Sequence, residues 1–155
     1  IGNIPGSENE PGRKAADETA LNLLNSADKV WGGFGKAPKF PQTMSIQYLL
    51  RYHHFTGHQE SLDQALLSLN KMIEGGIYDQ LAGGFARYST DAEWLAPHFE
   101  KMLYDNALLV SLISEAYQAT QKNRYREVIA ETIDFIKNEQ NYKSILIKSC
   151  LVTKI

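Results

Sequence analysis

The sequence predicts an all-α fold of antiparallel αα-hairpin repeats. Apolar residues recur at the 3.6-residue helical period in five separate windows, and no convincing period-2 strand appears before residue 141. The connections between windows alternate between a few polar residues and long Gly/aromatic-rich stretches.

Each element follows from its own residues. A first helix is expected over residues 13–28, with Ala16, Ala20, Leu23, Leu24 and Ala27 on one stripe. A second, over 43–55, turns Ile46, Leu49 and Leu50 inward, and Gly57 is placed to end it. The third opens at Ser61, which has capping-box spacing to Gln64. It carries Leu62, Ala65, Leu66, Leu69, Met72 and Ile73 on its stripe, and Gly75 closes it. Pro97 suits the first position of a fourth helix that runs to about Thr120 with Phe99, Leu103, Val110, Ile113 and Tyr117 on one face. The fifth follows an Asn123 cap and uses Tyr125, Val128, Ile129, Thr132 and Ile136.

Composition narrows the function classes. A chain of 155 residues, 43% hydrophobic and 22% charged, suits one compact domain rather than a disordered segment. No apolar run reaches the roughly 18–20 residues of a membrane span. A net charge of −2 gives no reason to expect a nucleic acid or an anionic membrane as partner. Cys150 is the only cysteine, which excludes an internal disulfide or a CxxC pair and fits a reducing, cytoplasmic setting. Residues 1–12 read as a polar, Gly/Pro-punctuated linker leading out of something upstream, so the chain is expected to be a fragment or processed product. The domain is expected over 13–140, and 141–155 is a divergent or appended tail.

The long connections carry the functional argument. Residues 31–42 (WGGFGKAPKFPQ) and 75–96 (GGIYDQLAGGFARYSTDAEWLA) both contain Gly-Gly-Phe. If consecutive helices run up and down, both loops lie at one end of the bundle, as a repeated helix–GGF loop–helix unit. Their aromatics can line a small-molecule pocket or plug the end of the bundle. Their charges can act on a ligand or pair with one another. Residues 97–101 (PHFEK) are the densest spot: a helix N-terminus there favours anions, and His98, Lys101 and Asp105 share a helical face, as do Glu100 and Tyr104. His98 with Asp91 or Glu100 makes a candidate general acid/base pair; a structural histidine beside a capping carboxylate is the other reading. His54 and His58 have metal-ligand spacing, but Gly57 breaks the helix between them, so no metal site is expected. Gly32–Gly35 follows a helix and lacks a Gly-Lys-Ser/Thr ending, so it is no phosphate loop, and no cofactor is expected.

GGFGKAPKFP (32–41) and GGIYDQLAGGFARYSTDAEWLAPHFEKMLYDNA (75–107) resemble the signature segments of the YyaL-type, spermatogenesis-associated thioredoxin-like family. The resemblance covers most of 15–140. It implies a thioredoxin-like domain followed by an (α/α) toroid similar to N-acylglucosamine 2-epimerases and six-hairpin glycosidases, which bind sugars at the long-loop end. The candidate catalytic residues are then His98, Asp91 and Glu100, and the candidate substrate-binding residues Phe40, Arg87, Tyr88, Trp94, Lys101, Tyr104 and Asp105; Asp79 also falls in the motif. The resemblance also implies that about twelve helices close such a ring, with the epimerase histidines on later repeats. An open arc of five helices leaves apolar faces uncovered, so self-association or a segment that completes the ring is expected. Three readings remain open: the sugar-binding part of an epimerase- or glycosidase-like enzyme, with little catalysis from this arc alone; a non-catalytic interaction or ligand-binding module attached to a thioredoxin-like domain; and a purely structural fragment.

Overall fold

The computed structural model describes the backbone of residues 11–152 and the side chains of residues 12–138. Most of the expected linker, and the side chains of the expected tail, lie outside the described residues. Five helices follow one another: α1 (Pro11–Ser26), α2 (Thr43–Thr56), α3 (Gln59–Glu74), α4 (Leu103–Thr120) and α5 (Asn123–Val152). Among the described residues there is no strand, only antiparallel pairings of single residues in the loops. None of these helices is long and apolar enough to cross a membrane.

The helices form two rows. α2 packs against α3 and runs along α4, α4 packs against α5, and α1 and α3 meet more sparsely. The closer spacing of α2 and α4 marks theirs as the inner row of a curved double layer. Between the rows lie Ile46, Leu49, Leu69, Met72, Leu109 and Ile113, all fully buried. Each such aliphatic side chain contributes about 1.5–3 kcal/mol of burial. The turn between α2 and α3 is tight because Gly57 takes a left-handed φ of 73° and donates its N–H to the His53 carbonyl at 2.7 Å.

Two helix starts differ from expectation. α3 begins at Gln59, with His58 at its N-cap, so Ser61 and Gln64 form no capping box. Gln59 extends the helix upstream, donating to Asp63 Oδ1 at 2.8 Å. Ser61 is buried beside His58 Nδ1, and Gln64 Nε2 reaches across to the Asp28 carbonyl at 3.0 Å. α4 begins at Leu103 rather than near Pro97. Residues 96–100 pair instead with 87–90: Thr90 N–H donates to the Ala96 carbonyl, His98 N–H to Tyr88, and Arg87 N–H to Glu100, all within 2.9 Å. That pairing satisfies backbone groups an early helical turn would have left open. His98 therefore does not sit at a helix N-terminus, and the expected helical face joining it to Lys101 and Asp105 does not form.

Leu69→Ala removes a fully buried side chain from between the rows. Urea unfolding is expected to show a loss of about 2–5 kcal/mol with an unchanged slope. Leu81→Ser, at a fully exposed loop tip, is expected to change stability by less than about 0.5 kcal/mol.

Candidate functional site at the loop end

Both long loops open with the same device. Asp28 Oδ1 accepts the N–H groups of Val30 and Trp31, and Asp79 Oδ1 those of Leu81 and Ala82, all at 2.8–2.9 Å. Each aspartate stands four residues before a Gly-Gly-Phe. Each closes its turn with its own N–H on the second glycine's carbonyl, at 3.0 Å in both loops. The glycines have φ between 66° and 81°. The first of each pair also lies flat on a helix: a Cβ on Gly32 would fall 2.5 Å from Ser68 Cα of α3, and one on Gly83 2.5 Å from the Glu131 carbonyl of α5. The GGF repeat was legible in the sequence. Asp28 was missed, and Asp79 was read only as a motif residue and not as the builder of its turn, although their equal spacing was the available signal.

The second oxygen of each aspartate holds a lysine. Lys39 Nζ lies 2.7 Å from Asp28 Oδ2, and Lys101 Nζ 2.7 Å from Asp79 Oδ2. Lys39 is fully buried; it also donates to the Ala92 carbonyl at 3.0 Å and lies 5.1 Å from the centre of the Trp94 ring. Burial alone would push the Asp28 carboxyl up, but the Lys39 hydrogen bond and the two backbone donors outweigh it and hold it below the usual range. Lys101 also donates to the Gly83 carbonyl at 2.9 Å and covers the Phe135 ring. Its hydrogen bond is the largest influence on Asp79, whose carboxyl is held at about 2.

The loops are joined backbone to backbone. Lys39 and Ser89 exchange both N–H···O bonds, at 2.8 and 2.9 Å, and Ser89 also lies opposite Pro97. This confirms that both loops share one end. The join decides the fate of several candidate residues. Trp94 was expected to line a pocket, but it is fully buried and its Nε1 donates to the Trp31 carbonyl at 2.8 Å. It packs the loops together. Asp91 takes the backbone N–H groups of Glu93, Leu95 and Ala96 at 2.5–3.1 Å; burial pushes its carboxyl up, and those donors pull it below the usual range. Among the described residues no side-chain hydrogen bond links Asp91 to His98 or Glu100.

Three of the remaining candidates, Phe40, Tyr88 and His98, share the opposite face. Because extended backbone alternates sides, Phe40, Tyr88 and His98 project away from buried Lys39 and Ser89. Their rings form a ladder, with centroids 4.9 Å apart from Phe40 to Tyr88 and 4.6 Å from Tyr88 to His98. Phe40 remains 42% exposed. Arg87 and Glu100 lie next along the paired segments, and Tyr104, at 51% exposed, stands in the first turn of α4. Asp105 follows it with one carboxylate oxygen buried and without a hydrogen-bond partner. Burial raises its carboxyl above the usual range, against the pull of Arg87. Among the described residues no group of three or more His, Cys, Asp or Glu could hold a metal ion. Two grooves, of about 430 and 590 Å³, lie on either side of Arg51 and Phe55 at the far end of α2. Sequence reasoning did not find them.

No family model matches the chain. Human spermatogenesis-associated protein 20 is 39% identical over 121 residues, and the mouse protein of that name 38%. The chain is a spermatogenesis-associated protein 20 homologue. The match takes in 76% of this chain and 15% of the length of either relative. In fold, the homologue matches a sugar epimerase from a ruminal bacterium with a TM-score of 0.68 at 16% identity, over 81% of this chain and 36% of that one. It matches cellobiose 2-epimerase from Spirochaeta thermophila with a TM-score of 0.66 at 20% identity, over 86% of this chain and 38% of that one. The two rows of helices are an arc of an α/α toroid of the sugar-epimerase kind.

Lys39→Met strands the partly buried Asp28 and is expected to cost about 3–5 kcal/mol in urea unfolding. Asp79 titrates at about 2 in the fold, below its ordinary 3.8. Its contribution is therefore complete above about pH 4 and lost as the pH falls from there toward 2. Lys101→Met is expected to flatten the stability profile within that window and leave the acid limb above it unchanged.

Proposed function

We propose that the loop end binds a sugar or a related small polyol, as part of the ligand mouth of an epimerase/glycosidase-like toroid domain. One observation carries this reading. Phe40, Tyr88 and His98 stack into a partly exposed ladder, and Arg87, Glu100 and Tyr104, near them in the chain, make no side-chain hydrogen bond or ion pair among the described residues. Neighbouring Asp91, Trp94 and Lys101 are, by contrast, fully engaged in holding the loops. A sugar presents an apolar C–H face to aromatic surface and hydroxyls to charged groups, which is the complement of this arrangement. Arg87 can donate to a sugar hydroxyl and Glu100 can accept from one.

In the longer protein, which carries a thioredoxin-like domain in a cytoplasmic setting, His98 and Glu100 are the acid/base candidates for proton transfer on the bound sugar. Asp91 positions its turn instead. That engagement favours binding without catalysis for the arc taken alone, as in a ligand-binding module.

A panel of aldoses, ketoses and N-acyl sugars titrated against the 15N-labelled chain tests this. Shifts are expected at Arg87, Tyr88 and His98, and Arg87→Met or Tyr88→Ala should weaken binding at least about tenfold, or roughly 1.4 kcal/mol. Absence of any shift at the loop end with every sugar refutes the reading.

A further inference from the structure

The two inner helices meet along faces that their contacts define. Glu115 of α4 accepts from Gln47 Nε2 at 2.6 Å and from Arg51 Nη2 at 2.7 Å, both on α2. At about 100° of turn per residue, Met44 falls within about 20° of Arg51 on α2, and Tyr104 and Leu108 within about 20° of Glu115 on α4. Both helices start at the loop end. With Glu115 level with residues 47–51, Leu108 is level with the start of α2, and Tyr104 lies about one turn nearer the loops. The facing sides of α2 and α4 are therefore tied by a polar cross-link away from the loops and are apolar at the loop end. Met44, Tyr104 and Leu108 are all exposed there. So is Phe40, four residues before Met44 and the first ring of the ladder.

We infer that this cleft takes the apolar aglycone of a glycoside whose sugar rests at the ladder. The inference rests on the sugar reading above and names the class of sugar that binds. The lining selects the occupant. Met44 and Leu108 are aliphatic, with neither a flat face nor a polar group to hold a second sugar ring, whose hydroxyls would lose their water there. Their complement is an alkyl chain or an aryl ring, which gives up no hydrogen bond on entry. The cross-link bounds the cleft: Glu115 is already satisfied by Gln47 and Arg51, so the far end offers a closed ion pair and no free charge. From Tyr104 to Leu108 the apolar wall is one helical turn, about 6 Å, which suits roughly a six-carbon chain or a phenyl ring. A wall this short is too small for a protein partner, since a stable interface buries about 800 Å² on each side.

The test titrates methyl, butyl, hexyl and octyl β-D-glucosides, below micelle formation, against the 15N-labelled chain. A methylene half-buried in an open cleft gains about twofold in affinity, so the hexyl glucoside is expected to bind roughly thirtyfold more tightly than the methyl one. Octyl should add little. Hexyl glucoside should shift Met44, Tyr104 and Leu108 together with Tyr88 and His98, and Met44→Gln should remove most of the gain over methyl. 1-Hexanol alone is expected to shift Met44 and Leu108, which reads the cleft without any sugar. Ladder shifts with equal affinity for the methyl and hexyl glucosides overturn the aglycone inference and leave the sugar reading standing. Hexanol shifts with no glucoside reaching the ladder overturn both. Silence of Met44 and Leu108 toward hexanol and hexyl glucoside alike overturns the cleft. Self-association in sedimentation velocity that Met44→Gln abolishes would assign the cleft to a second copy and overturn the inference too.

Discussion

The arrangement of the loop end depends on one buried cation. Lys39 has no exposed surface, and an ammonium group taken out of water is tolerable only if its donors are satisfied. Its partners come from both loops: the Asp28 carboxylate from the first, the Ala92 carbonyl and the Trp94 ring from the second. The charge is compensated only when the two loops meet in one register, and the paired Lys39 and Ser89 backbones impose that same register. A hydrophobic pair of equal volume could hold the loops together as firmly. It would not penalise a slipped pairing in the same way.

That register has a chemical consequence one residue further on. Phe40 follows Lys39 in the chain, Tyr88 precedes Ser89, and His98 follows Pro97. Once Lys39, Ser89 and Pro97 are aligned, alternation leaves the three aromatic rings no option but to stand side by side on the other face. The structural and the exposed sides of the platform are therefore set by a single alignment. Trp94 and Asp91 serve the inner side, and the sequence interleaves residues of the two sides.

This interleaving explains what could be read from the sequence. The apolar stripes of α2, α3 and α5 follow from local periodicity, because a helix face is a property of its own residues. So does the placement of both loops at one end, which needs only the alternation of helices. The start of α4 was not legible. Pro97 and the spacings of His98, Lys101 and Asp105 obey helix grammar, and only pairing with residues 87–90, a tertiary event, overrides it. Trp94 fails for a related reason: in extended backbone a neighbour buried and a neighbour exposed have the same local composition, as Lys39 and Phe40 show. Asp28 and Asp79 were legible in principle, since equal spacing before a repeated Gly-Gly-Phe is a purely sequential fact.

The two modules share a scaffold but differ in how firmly it is pinned, and the difference bears on the site. Asp28 and Lys39 close within the first loop, and the ammonium is sealed beneath Trp94. Asp79 is held by Lys101, which lies beyond the aromatic ladder, near the start of α4, and remains partly exposed. The backbone between Asp79 and Lys101 contains Arg87, Tyr88, His98 and Glu100, so this ion pair closes a ring of chain around the platform itself. The first pin fixes where the platform stands on the arc; the second sets how far its segments can spread. The second pin is the wetter of the two, at the same 2.7 Å separation as the first.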